Sequence, residues 1–329
     1  MKKRIIAAAS AAVMALQLTS CSFKARDLVT VRHDIPVPPQ MLFLGDSIPA
    51  GYGLDGYNAG NLYNCDSYAN ILFDRYKTEL ADKCGHDMVN KSVSGAESDE
   101  LLELVESGDL DAELDKADAV VVSIGGNDML GIMLGLLDKL GYDAETGSFD
   151  MGNINLLQAA SMVTSMDSEV DAALDRFAEN IVLIADEINN KTNGELYIQT
   201  LYDPLEYFSK FSTVTDFSGE KIGKFNQIIR DNSDGRYTVV DVALDFKGRA
   251  AELTNIKNFD IHPNADGHRV IAENIDAAFR KTGFSYTAEE YGEEYITASG
   301  YIAIAGAIFA GVCLIVLTAV LILSRKKKK

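Results

Sequence analysis

A chain of 329 residues is long enough for one large domain or two small ones, and its 47% hydrophobic and 24% charged residues are typical of a globular protein, which excludes an intrinsically disordered one. The formal net charge is -19, and the dense basic runs, residues 2–4 and 325–329, lie at the extreme termini. Because phosphate binding needs a basic face on the folded domain, composition argues against a nucleic-acid partner.

The N-terminus has the pattern of an export signal. Residues 1–20 combine a basic start with a short apolar stretch, which predicts a signal peptide. The motif Leu-Thr-Ser-Cys at residues 18–21 resembles a bacterial lipobox, and this resemblance implies that Cys21 becomes the lipidated first residue of the mature protein. Ordinary signal cleavage and an uncleaved anchor are the alternatives. Residues 21–39 contain three prolines and no helical period, so they are predicted to be a tether.

Residues 40–283 are predicted to form one domain in which short apolar runs alternate with helical patterns. Strands are predicted at residues 41–45, 88–92, 119–124, 196–201 and 237–242. Helices are predicted at residues 67–83, 98–105, 171–188, 223–230 and 267–282. Since the strands are almost continuously apolar, they are expected to be buried on both faces. The pattern predicts an α/β fold, a three-layer α/β/α sandwich around a five-stranded parallel sheet.

One stretch departs from this alternation. Residues 129–170 are rich in leucine and methionine and are interrupted by glycine. They are interpreted either as an apolar lid over a binding site or as helix packed on the core.

The C-terminus is predicted to cross a membrane. Residues 298–324 carry no charge and are long enough to span the hydrocarbon core, and residues 284–297 are predicted to link them to the domain. The basic tail, residues 325–329, is expected in the cytoplasm by the positive-inside rule. The domain is therefore predicted to lie outside the cytoplasm, attached to the cell membrane.

The cysteines fit this layout. Of the four, Cys21 belongs to the lipobox and Cys313 to the predicted span. Cys65 and Cys84 remain, and in an oxidising exterior they are interpreted either as a disulfide or as two buried free thiols.

Polar residues with complementary chemistry follow the predicted strands. Ligands bind at the carboxyl ends of the strands in parallel sheets, so these positions are the candidates for a site. Ser47 follows the first strand, Gly95 the second and Asn127 the third, while His262 comes near the end of the domain. A hydroxyl nucleophile, a basic imidazole and amide donors for an oxyanion are the groups that acyl transfer requires.

These four clusters, in this order, resemble the SGNH family, also called GDSL lipases and esterases. The resemblance covers residues 41–282 and implies a flavodoxin-like SGNH hydrolase fold. It implies that Ser47 in FLGDSI is the nucleophile and that His262 in DIHPNADGH is the general base. It also implies an oxyanion hole formed by Ser47, by Gly95 in SVSGAES and by Asn127 in SIGGND.

The catalytic acid departs from the family pattern. The family usually has Asp-x-x-His, but Phe259 stands three residues before His262 and Asp260 only two before it. Because successive residues of an extended segment point to opposite sides, Asp260 is one position out of step with the usual acid. Either Asp260 orients the imidazole through an altered backbone, or the carbonyl of Phe259 does so and the site is a dyad.

The resemblance implies an extracytoplasmic serine esterase or lipase-type hydrolase that cleaves carboxylic esters through an acyl-enzyme. Small-molecule, lipid and acylated-glycan esters are the expected substrates. A carbohydrate or cell-wall O-acetyl esterase on the same fold is the alternative. A catalytically inactive surface binding module is a second alternative, favoured only by the altered spacing of the acid.

No metal or organic cofactor is expected. The sequence lacks GKS, GKT, HExxH and CxxC motifs, which disfavours a phosphate loop or a zinc site. Residues 51–56 match G-x-G-x-x-G, but they do not join a strand directly to a helix. A dinucleotide site is therefore disfavoured.

Overall fold

The computed structural model describes residues 23–129, 142–143, 148–149, 156–210 and 212–326. The chain divides into two compact units. The larger unit runs from Asp34 to Tyr286, close to the predicted domain, and the smaller one combines the chain before it with the chain after it. The predicted signal peptide and Cys21 lie outside the described residues.

The secondary structure alternates between strands and helices. The strands are β1 Lys24–Ala25, β2 Leu28–Ile35, β3 Gln40–Gly45, β4 Asp87–Asn90, β5 Ala119–Ser123, β6 Tyr142–Asp143, β7 Ser148–Phe149, β8 Glu195–Gln199, β9 Thr238–Val240, β10 Phe284–Tyr291 and β11 Tyr295–Ile296. The α-helices are α1 Ser47–Ala50, α2 Tyr68–Leu80, α3 Ser98–Glu106, α4 Asp111–Lys116, α5 Leu156–Lys191, α6 Ser212–Asp231, α7 Val242–Phe246, α8 Ala250–Leu253, α9 Ala265–Thr282 and α10 Ala298–Lys326. Short 3₁₀ helices cover Leu62–Asn64, Pro204–Phe208 and Ile256–Asn258.

The larger unit is built on a parallel sheet of five strands. Their order is β4-β3-β5-β8-β9, and every neighbouring pair runs parallel. This confirms the predicted α/β fold and the five-stranded sheet. Each predicted strand contains the core of an observed one, and the differences lie at the ends.

Each face of the sheet has its own core, which gives the three layers. Leu42 and Leu44 of β3 join one apolar cluster with residues of α3, α5 and α6. Met41 and Phe43 of the same strand join the other cluster with residues of α2, α7 and α9. Successive side chains of a strand point to opposite faces, so a strand covered on both sides must be apolar at every position.

The predicted tether and linker both contain strands. β2 pairs with β10, and β1 pairs antiparallel with β11 so that Lys24 lies opposite Ile296. The salt bridge between Lys24 and Glu294 joins side chains 270 positions apart. The segments predicted as a tether and a linker therefore contain paired strands, which the sequence analysis did not predict. Leu28–Ile35 has β-branched residues that favour a strand, but its distant partner leaves no local signal.

Helix α10 has the properties predicted for the C-terminus. Its segment Ala298–Ser324 has 27 residues and a mean hydropathy of 2.8, and none of its most apolar window is buried. It is therefore long and apolar enough to cross a membrane. The orientation of the helix stays a prediction.

Cys65 and Cys84 are both free thiols. Of the two interpretations, free thiols describe the structure and a disulfide does not, but only Cys65 is buried and Cys84 is partly exposed. Cys65 precedes α2 and Cys84 follows it, and a helix of 13 residues is about 20 Å long. Since a disulfide requires Cα atoms within about 7 Å, the helix separates the two thiols too far for a bond.

The leucine- and methionine-rich stretch is described only in part. Leu156–Lys191 is one continuous helix that starts well before the predicted residue 171, and Val170 is buried in the core. β6 and β7 pair antiparallel. The remainder of residues 130–155, part of the stretch 129–170 that was interpreted either as a lid or as helix packed on the core, lies outside the described residues.

Candidate active site

Ser47 lies at a sharp turn between strand and helix. β3 ends at Gly45, whose φ is +124°, and a Cβ there would lie 1.9 Å from the carbonyl oxygen of Ser123 on β5. The backbone N–H of Asp46 donates to that same carbonyl at 3.0 Å. Asp46 caps α1, since its carboxylate accepts the N–H of Ile48 at 2.9 Å. The close contact between the two strands thus fixes where the chain leaves the sheet, and Ser47 follows two residues later as the first residue of α1.

His262 joins Ser47 to Asp260. Its Nε2 lies 3.0 Å from Ser47 Oγ, and its Nδ1 lies 2.5 Å from Asp260 Oδ1. All three groups are mostly buried, and the His262 side chain is only 14% exposed. A hydroxyl bonded to an imidazole that is itself bonded to a carboxylate can give up its proton to the imidazole.

Asp260 reaches His262 because the backbone turns immediately before it. Phe259 has φ +59°, in the left-handed region, at the end of the 3₁₀ helix Ile256–Asn258. The Asp260 carboxylate then folds forward and accepts the backbone N–H of His262 at 3.0 Å with the same oxygen that contacts Nδ1. Asn255 Nδ2 lies 3.5 Å from the other oxygen. The altered spacing therefore still brings a carboxylate to the imidazole.

The Asp260 carboxyl favours its ionised form. Burial by itself would raise its pKa, but the hydrogen bonds from the His262 ring and backbone N–H outweigh burial. The pKa of Asp260 consequently lies below its ordinary value. An ionised carboxylate is the form that can stabilise an imidazolium.

Asn127 follows β5 at the same carboxyl edge of the sheet at which Ser47 follows β3. Together with Ser47 and His262 it borders one cavity. Its side-chain Nδ2 donates to the carbonyl of Ala96 at 2.9 Å. An amide nitrogen carries two hydrogens, so this bond fixes the side chain and leaves the second hydrogen for an oxyanion.

Gly95 lies in the loop that follows β4. Its φ is +91°, and no atom lies within 4 Å of where a Cβ would be. Glycine is thus favoured here by the backbone conformation and not by lack of space. The N–H of Val93 donates to the carbonyl of Gly45 at 2.8 Å, which ties this loop to the end of β3.

Two tyrosines that the sequence analysis did not assign contact the histidine segment. The Tyr52 ring lies 4.6 Å from the His262 ring, centroid to centroid. The Tyr202 hydroxyl donates to the carbonyl of Ile261 at 2.9 Å. Tyr202 is the third residue after β8, and its position directly after the predicted strand 196–201 was the available signal. No signal in the sequence pointed to Tyr52, because it lies in a glycine-rich loop without a helical or strand pattern.

His268, the other histidine near the site, is fully buried. Its Nδ1 accepts the backbone N–H of Tyr68 at 3.2 Å. Burial, with a smaller effect of the nearby His262, lowers its pKa to about 3. His268 is therefore neutral at physiological pH and packs against the Tyr68 ring.

The cavity beside Ser47 has mainly apolar walls. They include Met129 and the following side chains from the segment after β8, from α6 and from α7: Leu201, Leu205, Ile222 and Val242. Asp46 also borders the cavity. Within the described parts of the chain, no group of three or more His, Cys, Asp or Glu side chains is placed to hold a metal ion.

Replacing Asp46 by asparagine is expected to flatten the pH dependence of stability. Burial, with the charge of Asp128, raises the Asp46 pKa to about 7. The folded state thus holds a proton that the unfolded state loses near pH 4, so wild-type stability falls as pH rises from about 4 to 7. Between pH 5 and the Asp46 pKa of about 7 the wild type loses about two pKa units of this stabilisation, roughly 3 kcal/mol, and Asp46→Asn removes that loss. Urea unfolding at pH 5 and pH 8 measures this.

The exposed Asp55 provides the matched control for that experiment. Asp55→Asn is expected to keep the wild-type difference in unfolding free energy between the two pH values. An Asp46→Asn protein that loses as much stability as wild type between pH 5 and pH 8 would contradict the assignment.

Comparison with known proteins identifies relatives of the whole domain. A sequence model of the GDSL-like Lipase/Acylhydrolase family matches residues 43–270. The uncharacterized protein YpmR of Bacillus subtilis (strain 168) is 24% identical over 294 residues, which covers 86% of this chain and 98% of that protein.

A solved lipase structure shares the fold, and an esterase structure is similar at a lower score. The lipase Lip_vut3 from a goat rumen metagenome is similar with a TM-score of 0.53 and 19% identity, covering 73% of this chain and 96% of that one. The acetylxylan esterase Axe2 from Geobacillus stearothermophilus has a TM-score of 0.47 and 17% identity, covering 73% of this chain and 94% of that one. The family model's match over residues 43–270 includes the turn at Ser47 and the segment at His262. The chain therefore belongs to the GDSL-like lipase/acylhydrolase family.

Proposed function

We propose that this protein is a serine esterase that cleaves carboxylic esters, with Ser47, His262 and Asp260 as its catalytic residues. The observation that carries the proposal is the line of hydrogen bonds from Ser47 Oγ through both His262 nitrogens to Asp260, at 3.0 Å and 2.5 Å. Membership of an acylhydrolase family supports the same type of reaction.

The reaction proceeds through an acyl-enzyme. Ser47 Oγ attacks the ester carbonyl carbon while His262 Nε2 accepts the hydroxyl proton, and Asp260 stabilises the imidazolium. The bond to the leaving alcohol then breaks as Nε2 returns the proton to the alcohol oxygen. Water then attacks the acyl carbonyl carbon while His262 Nε2 accepts a proton from the water. Nε2 returns that proton to Ser47 Oγ as the bond to the acyl group breaks, and the carboxylic acid leaves.

Three donors stabilise the negative charge on the carbonyl oxygen. They are the backbone N–H groups of Ser47 and Gly95 and the side-chain amide of Asn127. Asn127 is held in advance by the carbonyl of Ala96 at 2.9 Å, so it needs no reorganisation during the reaction.

The cavity favours an acyl group that carries a hydrocarbon chain. Its walls beside Ser47 are mainly apolar, and burying each methylene there contributes about 0.8 kcal/mol. The substrate is therefore proposed to be an acyl ester longer than acetyl. A steady rise in kcat/KM from 4-nitrophenyl acetate to the octanoate supports this, and preference for acetyl would favour an O-acetyl esterase instead.

The proposed location is the outer side of the cell membrane. Helix α10 is long and apolar enough to span, and residues 325–329 favour a cytoplasmic end. The export signal and lipidation of Cys21 are part of the same proposal.

Covalent labelling tests the proposed nucleophile. A fluorophosphonate probe is expected to label the full chain in detergent, and Ser47→Ala is expected to abolish labelling, because the probe reacts with a serine activated by a base. Ser94→Ala is the matched control, since Ser94 is an exposed serine directly before Gly95 and should leave labelling intact. A wild-type chain that fails to label would favour the inactive binding module.

Removing the Asn127 amide is expected to slow turnover without weakening binding. Asn127→Ala should lower kcat by about 10²- to 10³-fold, because the donor acts on charge that develops only in the transition state. Steady-state hydrolysis of 4-nitrophenyl butyrate separates kcat from KM. Asn189→Ala, which removes a surface amide bonded to the Arg236 carbonyl, is the control. If KM rises as much as kcat falls, Asn127 does not hold the oxyanion.

A further inference from the structure

Phe259 is the one non-glycine residue with a positive φ in the described part of the chain. A side chain with a Cβ is disfavoured in the left-handed region, and such a conformation persists only where the surroundings impose it. Phe259 directly precedes Asp260, the residue whose position departs from the family pattern. The strained backbone and the altered acid are therefore neighbours.

The segment after β8 contacts the chain on both sides of Asp260. The Phe259 ring stacks on Phe208, the last residue of the 3₁₀ helix Pro204–Phe208, with centroids 6.0 Å apart and an interplanar angle of 21°. The Tyr202 hydroxyl donates to the carbonyl of Ile261 at 2.9 Å. One segment thus holds the residue before Asp260 and the residue after it.

The left-handed turn decides where Asp260 goes. The N–H of Phe259 donates to the carbonyl of Ile256 at 2.9 Å, which closes the 3₁₀ helix, and the chain then reverses direction. The N–H of Asn255 donates to the carbonyl of His262 at 2.9 Å, so the loop closes on itself. An ordinary conformation at Phe259 would send Asp260 away from this closed loop.

We propose that Phe259 is a positioning residue for the catalytic acid, and this rests on the proposed esterase function. Stacking on Phe208 holds Phe259 in the left-handed conformation, and that conformation places the Asp260 carboxylate on His262 Nδ1. The ring acts through Asp260 and touches no reacting atom. A protein with Asp-x-His in place of Asp-x-x-His thereby keeps a complete triad.

Two substitutions at Phe259 separate the backbone from the ring. Phe259→Ala removes the ring and keeps a Cβ. Without the stacking contact, the left-handed conformation at residue 259 should be about 5- to 30-fold less populated, because it is unfavourable for a residue with a Cβ. Phe259→Gly also removes the ring, but glycine adopts positive φ about as readily as negative φ. With 4-nitrophenyl butyrate and the full chain in detergent, kcat should fall about 5- to 30-fold in the alanine variant. It should stay within about threefold of wild type in the glycine variant, with KM unchanged in both.

Two further variants keep the proposal open to contradiction. Phe208→Ala removes the stacking partner, so it should lower kcat as Phe259→Ala does. In an Asp260→Asn background, Phe259→Ala should cause no further loss, because no carboxylate remains to be positioned. Equal losses in the alanine and glycine variants, or a change confined to KM, would overturn the proposal.

The outcomes also distinguish this proposal from the function on which it rests. If wild type shows no hydrolysis that depends on Ser47, the esterase function itself fails. If wild type hydrolyses the ester and Asp260→Asn slows it, but Phe259→Ala retains full kcat, only the role of Phe259 is wrong.

Discussion

Replacing His262 by alanine is expected to lower kcat for ester hydrolysis by about 10⁶-fold. Nε2 of His262 lies 3.0 Å from Ser47 Oγ, and the His262 side chain is only 14% exposed. Loss of the base in a serine triad costs about as much as loss of the nucleophile, because the two act as one unit. Steady-state hydrolysis of 4-nitrophenyl butyrate by the full chain in detergent measures the effect.

A double variant sharpens this result. Ser47→Ala added to His262→Ala should cause almost no further loss, since the residual rate then comes from binding and the oxyanion donors alone. His33→Ala is the control, because His33 is bonded to Glu290 in the smaller unit's strand region and takes no part in the proposed reaction. Activity of His262→Ala within tenfold of wild type would remove His262 from the role of base.

Asp260→Asn is expected to lower kcat by about 10⁴-fold. Asparagine keeps the size of the side chain but lacks the charge, so it neither stabilises the imidazolium nor fixes the reactive tautomer of the ring. The pKa of Asp260 lies below its ordinary value because the His262 hydrogen bonds outweigh burial. The wild-type carboxylate should consequently stay ionised at every pH above about 4, the ordinary value for aspartate.

The measurement is kcat of Asp260→Asn for the same butyrate ester. Asp266→Asn, an exposed aspartate in the first turn of α9 that pairs with Arg269, is the matched control and should retain wild-type kcat. A loss in Asp260→Asn of less than tenfold would indicate that a neutral acceptor orients His262 well enough, which was the dyad interpretation.

The parts of the fold that local pattern encodes could be predicted from the sequence. Strands β3, β5 and β8 are covered on both faces, so each must be almost continuously apolar. Such apolar runs could be recognised as strands in the sequence. Their parallel direction followed from the helices between them, whereas their order in the sheet was not predicted. Ser47 and Asn127 could be placed at the carboxyl edge because each directly follows or closely follows such a strand.

The remainder depends on contacts between distant parts of the chain. The Phe259 ring, at a residue with a left-handed conformation, stacks on the ring of Phe208. No local sequence pattern predicts a positive φ at a phenylalanine. Pairing of β1 with β11 joins opposite ends of the sequence. The free thiols of Cys65 and Cys84 follow from the helix between them, a separation that counting cysteines does not reveal.

Ser47 and His262 are 215 positions apart, and in the proposed esterase that separation determines when the folding chain becomes reactive. During synthesis Ser47 emerges early, near the start of the domain, and His262 emerges only when almost all of the domain has followed. Until β3, β5 and the segment before α9 have come together, Ser47 is an ordinary alcohol. Labelling by a covalent probe is thus expected to report that the domain has folded. A chain that ends before residue 262 is expected not to hydrolyse esters.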